Sequence, residues 1–307
     1  MCIRDRCREG SLGLRSIYSH ICKLFVASAV GIGLSACGVS LNNPSKGTDG
    51  SGTSSSSSSG GATGPTITSV SSGTANGVYN AAAVIDVTVT FSENVTVAGG
   101  TPQLTLELGA TDRLAVYASG SGTAILTFSY TVQVGDNSSD LNYVSAVALT
   151  ANGGTIVSST AVDAVLTLPV TSGSLAANKA IIVDTGPPTV LSVSSAKTNG
   201  TYTVGEVIDV TVTFDESVTV AGGTPQLTLE LGATDRLAVY ASGSTSTILT
   251  FNYTVQSGDN SGDLNYPTTG SLITNGATIR DIAANNATLT LPATGGASAL
   301  AGSKALV

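Results

Sequence analysis

The chain has 307 residues, 41% hydrophobic and only 10% charged, with 36 Gly, a length that allows two domains of ordinary size and a leader. Past residue 37 it holds 18 Asp plus Glu against 7 Lys plus Arg, a net charge of −11 that repels phosphate backbones and anionic lipid, disfavours nucleic acid as a partner and favours divalent cations. The single His is His20, and beyond Cys37 there is no Cys, Met or Trp, which excludes Ser-His-Asp and Cys-His catalysis and His or Cys zinc sites.

Residues 24–34 (LFVASAVGIGL) form an uncharged apolar run behind Arg15 and Lys23, too short to span a bilayer as a helix and therefore read as the core of a signal peptide. It closes on Leu34-Ser35-Ala36-Cys37, which resembles the lipobox of bacterial lipoproteins. The resemblance implies cleavage before Cys37, lipidation of its thiol and a membrane anchor in the bacterial envelope, at the outer membrane or cell surface. Gly38 stands where the retention signal for the inner membrane would place Asp. Residues 1–19 mix Asp5 and Glu9 with four Arg and two Cys, an odd start for a leader, and read as a misassigned beginning. Residues 44–64, with six consecutive serines at 54–59, cannot bury a core and read as a disordered tether of roughly 25 Å mean reach.

From residue 65 on, strand formers dominate and helical periodicity is absent. Alternation puts Ile85, Val87, Val89 and Phe91 on one face and Asp86, Thr88 and Thr90 on the other, the pattern of a half-buried strand. Leu104, Leu106 and Leu108, then Leu126, Phe128, Tyr130 and Val132, repeat it. Further strands are expected at 66–72, 95–97, 114–119, 141–144 and 165–169, separated by turn signals such as Gly99-Gly100-Thr101-Pro102 and Gly135-Asp136-Asn137-Ser138. Residues 95–121 then recur without a change as 218–244, so the chain is a tandem array with a 123-residue period, each unit long enough to bury its own core.

The succession Asn76-Gly77-Val78-Tyr79, Val89-Thr90-Phe91-Ser92-Glu93, Thr101-Pro102-Gln103-Leu104 and Gly135-Asp136, echoed by Asn199-Gly200-Thr201-Tyr202, Phe214-Asp215-Glu216 and Gly258-Asp259, resembles the bacterial Ig-like, cadherin-like tandem repeats of surface adhesins. The resemblance implies antiparallel sandwiches, an extracellular location and a role in adhesion or display, often with calcium. The organisation is then a leader at 1–36, a tether at 37–64, an Ig-like repeat at 65–185 and a second at 186–307, whose end at Val307 reads as short of the first unit's. Asp281-Ile282-Ala283-Ala284-Asn285 approximates the family's Asp-x-Ala-Gly-Asn turn, where the first unit has Ser158 to Val162.

Successive loops of an antiparallel sandwich fall at alternate poles. If 95–97 is a separate strand, Glu93, Asp112, Asp136 and Asp140 share the pole where the chain comes in, and in the second unit Asp215, Glu216, Asp235, Asp259 and Asp263 share the pole facing the linker with Asp184. Carboxylates converging at a junction repel one another unless a hard cation bridges them. The expected metal set is therefore Glu93, Asp112, Asp136, Asp140, Asp184, Glu216, Asp235, Asp259 and Asp263, with Ca²⁺ stiffening the array. The bland alternative is that these acids cap turns. No catalytic residue is expected: Asp215 and Glu216, being adjacent on a strand end, point to different sides and make a poor glycosidase pair. Tyr143 and Tyr266, in Asp-Leu-Asn-Tyr, read as core packing rather than as a tyrosine-corner lock.

The functional expectation is a non-enzymatic, lipid-anchored stalk that presents an unknown protein or glycan ligand site. The alternative is a carbohydrate-binding or accessory module of a larger secreted enzyme, which would require an exposed aromatic platform.

Overall fold

The computed structural model describes residues 63–307, so the leader, the lipidation candidate Cys37 and most of the tether lie outside the described residues. Within that range the chain forms two β-sandwiches with separate cores, one built from residues 70–183 and the other from 193–306.

In the first bead the strands are β1 (Ile67–Ser72), β2 (Gly77–Tyr79), β3 (Val84–Ala98), β4 (Gln103–Glu107), β5 (Arg113–Ser119), β6 (Thr123–Thr131), β7 (Asn137–Ser138), β8 (Asn142–Tyr143), β9 (Leu149–Thr150) and β10 (Thr155–Ser158). A single helical turn, α1 (Leu175–Asn178), precedes the last strand β11 (Ile181–Asp184). The main sheet runs β1-β3-β6-β5-β4-β8, and a smaller one runs β2-β11-β7. The alternating residues expected to face inward do so: Ile85, Val87, Val89, Leu104, Leu106, Leu108, Leu126 and Phe128 have no exposed surface. The second bead repeats the plan with β12 (Val190–Ser194), β13 (Val207–Gly222), β14 (Gln226–Leu229), β15 (Arg236–Ser242), β16 (Ser246–Thr254), β17 (Leu272–Ile273), β18 (Ala277–Arg280) and the turn α2 (Leu300–Ser303).

Two sequence expectations are corrected here. Residues 165–169 form no strand beyond one bridge at Val165, and the strand that finishes the first bead is β11. More consequentially, 95–97 is not a separate strand. β3 is continuous from Val84 to Ala98: its first part pairs with β1 and β6, its last part with β10. The register against β6 shifts between Thr90 and Val95, so Ser92, Glu93 and Asn94 bulge out to solvent between buried Phe91 and Val95. The extra residues of a bulge bend a strand without ending it, which lets one strand change partners along its length. No Gly or Pro occurs in the stretch to force a turn.

The continuous strand inverts the pole assignment. Loops 73–83, 108–112 and 132–136 gather at the trailing pole, where β11 leaves, while Glu93 sits at the leading pole beside Thr66, whose carbonyl accepts the amide of Ser92.

Tight glycines close the hairpins. Gly120 and its counterpart Gly243 adopt φ of +109° and +105°, and a Cβ on either would fall 2.0 Å from the carbonyl oxygen of Ile125 or Ile248. Only Gly fits there.

Candidate cation site at the joint between the beads

The linker begins where β11 ends. Thr185 straps it to the first bead: its amide donates to Asn137 Oδ1 (3.1 Å), its hydroxyl donates to the Asp136 carbonyl (3.0 Å) and accepts from the Gly135 amide (2.9 Å). Asp184 Oδ1 accepts the Gly186 amide at 3.0 Å, turning the chain into Pro187-Pro188, whose rings restrict the backbone to extended conformations. On the far side Asp215 grips the incoming strand, accepting both the Thr189 amide (2.8 Å) and hydroxyl (2.6 Å). Burial pushes the Asp215 carboxyl up, but the bonds from Thr189 and from the amides of Asp215 and Glu216 outweigh it and hold the group below its ordinary value. In the first bead the equivalent grip is a single bond, from the Thr66 amide to Ser92 Oγ.

The turn after β18 completes the joint. Buried Asp281 accepts the Asn285 amide (2.8 Å) and side chain (2.9 Å), and Asn285 Nδ2 also reaches back to the Asp184 carbonyl at 3.1 Å. Ser158 caps the corresponding turn of the first bead through the amides of Thr160 and Val162.

These contacts bring Asp184, Glu216 and Asp281 together, with one carboxylate oxygen from each within 4.8 Å of the others. Burial, and then the charges of Asp184, Asp281 and Asp215, push the Glu216 carboxyl up to about 7. At such spacing each like-charge pair costs about 3 kcal/mol at an effective dielectric constant near 20. The donors are all hard oxygens, the chemistry of a Ca²⁺ site, which takes six to eight oxygens from carboxylates, carbonyls and water.

The other expected ligands go elsewhere. Asp136 and Asp259 are interior structural acids. Asp136, 1% exposed, binds Arg113 Nε at 2.7 Å, the hydroxyl of Tyr130 and the Gln133 amide at 2.8 Å. Asp259 does the same with Arg236 (2.8 Å), Tyr253 and Gln256. Burial raises Asp259, but the bonds from Tyr253, Gln256 and Arg236 prevail and keep its carboxyl low, while burial and the Asp259 contact push the Tyr253 hydroxyl up to about 12. Asp112, Asp140, Asp235 and Asp263 are exposed. Because β13 is continuous like β3, Asp235, Asp259 and Asp263 gather at the trailing pole of the second bead, away from the linker, and the expectation that they face it is wrong. Glu93, exposed at the leading pole of the first bead, belongs to no such carboxylate trio among the described residues. Asp281 was missing from the expected set, although its departure from Ser158 was a visible signal.

Every tyrosine hydroxyl in the two beads is engaged. Tyr79 and Tyr202 donate to the carbonyls of Ala75 and Thr198, Tyr117 and Tyr240 accept the amides of Ser121 and Ser244, and Tyr130 and Tyr253 bind Asp136 and Asp259. Tyr143 and Tyr266 are buried and also donate to the carbonyls of Pro169 and Pro292, so packing and locking coincide there. No family model and no curated protein matches the chain.

Proposed function

We propose that the chain is a non-enzymatic, lipid-anchored stalk of the bacterial surface, whose two Ig-like beads are stiffened by a calcium ion at their joint. The observation that carries this reading is the carboxylate trio Asp184, Glu216 and Asp281, drawn from the linker and from two separate elements of the second bead. The two beads differ at the positions that matter: Ser92 and Ser158 of the first become Asp215 and Asp281 of the second, and the added acid faces the linker. Glu216, Asp184 and Asp281 would hold the ion, with water completing the shell, and the ion would supply the counter-charge that the crowded carboxylates need. The Cys37 motif and the tether fit display away from a membrane, and engaged tyrosines with no Trp anywhere in the sequence disfavour a sugar-stacking accessory module.

The test is calorimetry and small-angle scattering of the protein with Ca²⁺ or EDTA. An ion at 100 times its Kd adds about 2.7 kcal/mol to the bead that binds it. The expected result is a higher melting temperature for the second bead and a narrower spread of extended conformations. Identical melts and scattering in millimolar Ca²⁺ and in EDTA would sink the calcium joint.

A further inference from the structure

The outward face of the main sheet is uncovered in both beads among the described residues. Val84, Leu114, Val116 and Ile125 stand 40–55% exposed on it, and their counterparts Val207, Leu237, Val239 and Ile248 stand 40–48% exposed on the second bead. The strand register sets them side by side with polar neighbours: Val116 lies between Gln103 and Ser129, and Val84 beside Thr131. Thr88, Thr90 and Thr127 fill the positions between them. No Lys, Arg or aromatic residue of these strands points outward, because Arg113 turns in to Asp136 and the Tyr117 ring meets buried Phe128. The carboxylates on the face are Asp86 and, at its corner, Glu107; Asp209, the counterpart of Asp86, is held by the Ala196 amide at 2.9 Å.

Most exposed apolar residues elsewhere change between the beads: Val134, Val147 and Val170 correspond to Ser257, Gly270 and Ala293. Those on the face persist, including Val84 and Ile125, which lie outside the identical stretch 95–121.

We propose that these faces pair two copies of the chain, outward sheet against outward sheet. Sheets pack about 10 Å apart by interdigitating side chains, and the same face of another copy offers the aliphatic complement. Past Cys37 the chain has a net charge of −11 and repels its like, so close approach is favoured where the surface is nearly free of charge. With strands about 4.8 Å apart and outward residues about 6.7 Å apart along them, one face measures roughly 500 Å². Copies meeting through one bead each bury roughly 1,000 Å², the threshold of a specific contact, and through both beads roughly 2,000 Å², the size of a stable pair. The tandem thus supplies by avidity what one bead lacks. The face runs along the side of each bead, away from the poles, so the pairing does not depend on the cation joint.

The test is sedimentation equilibrium of the full chain in EDTA at low and high salt. The wild type is expected to dimerise, and more tightly at high salt, which screens repulsion between the acidic remainders. Val116→Lys combined with Val239→Lys should leave a monomer although it reduces the net negative charge, and either change alone should weaken the dimer by about tenfold or more. The off-face pair Val134→Lys and Val147→Lys should leave the dimer intact. Val116→Thr with Val239→Thr keeps size and strand preference, and should weaken the dimer without lowering the melting temperature, which separates lost contact from lost fold. A wild type that stays monomeric at millimolar concentration overturns the proposal, as does a dimer that loosens with salt, survives the Lys pair or is lost equally in the off-face pair.

Discussion

Replacing Glu216 by Gln separates charge crowding from every other property of the joint, because the amide keeps the shape and removes the titration. In the absence of metal the carboxyl moves from its ordinary 4.5 to about 7 in the folded protein, through burial and the charges of Asp184, Asp281 and Asp215. At 1.36 kcal/mol per pH unit the displacement corresponds to about 3 kcal/mol, reduced to about 1–2 kcal/mol because Glu216 retains partial solvent access. The sign follows from proton uptake. Between pH 4.5 and 7 the folded state holds a proton that the unfolded state has released, so this group's contribution is complete below pH 4.5 and is lost as pH rises through about 7. In EDTA the second bead should therefore melt higher at pH 5 than at pH 8, and Glu216→Gln should flatten that dependence while raising stability at pH 8. Calorimetry of the full chain measures this directly, the transition that Glu216→Gln shifts being that of the second bead. With Ca²⁺ at pH 8 the order should reverse, since the wild type gains a ligand the variant lacks. A variant that is less stable than wild type at pH 8 in EDTA, or that keeps the same pH dependence, would refute the crowding argument.

Two further substitutions probe the fold that positions the joint. Asp136→Ala strands Arg113 and the buried hydroxyl of Tyr130 and should cost the first bead about 3–5 kcal/mol, read by urea denaturation followed by far-UV circular dichroism; a loss under 1 kcal/mol would show that the network is solvated. Gly120→Ala, at φ +109° with the Ile125 carbonyl 2.0 Å from the new Cβ, should cost about 2–3 kcal/mol in the same assay, whereas Gly122→Ala, which has open space and only backbone strain to meet, should cost less.

The residues that alternate along β3, β4 and β6 announced their burial, because a period of two leaves each strand one apolar face and the core has no other supply of side chains. What sequence alone could not settle was whether the exposed run Ser92-Glu93-Asn94 ends a strand or bulges within one. A bulge has no obligatory residue, and three polar positions satisfy either state. That single ambiguity decided the pole of every later loop, so Asp235, Asp259 and Asp263 were expected beside the linker although they lie at the far end of their bead. Asp136 and Asp259 were misjudged for a different reason. Their partners Arg113 and Arg236 are 23 residues away, and no local pattern distinguishes a turn-capping Asp from one buried against a distant guanidinium. Asp281 was legible as the counterpart of Ser158, and its meeting with Asp184 across 97 positions was not.

The placement of β11 has a mechanical consequence. Tension applied through Thr66 and Thr185 pulls on β1 at the leading pole and on β11 at the trailing pole. β11 runs parallel to β2, so the line of force lies along the pair and perpendicular to its hydrogen bonds. Those bonds, with the pairing to β7 and the Thr185 strap, must then rupture together rather than peel one at a time. A bead laced in this way resists extension through simultaneous shear, and the smallest sheet in the domain becomes its force-bearing clasp.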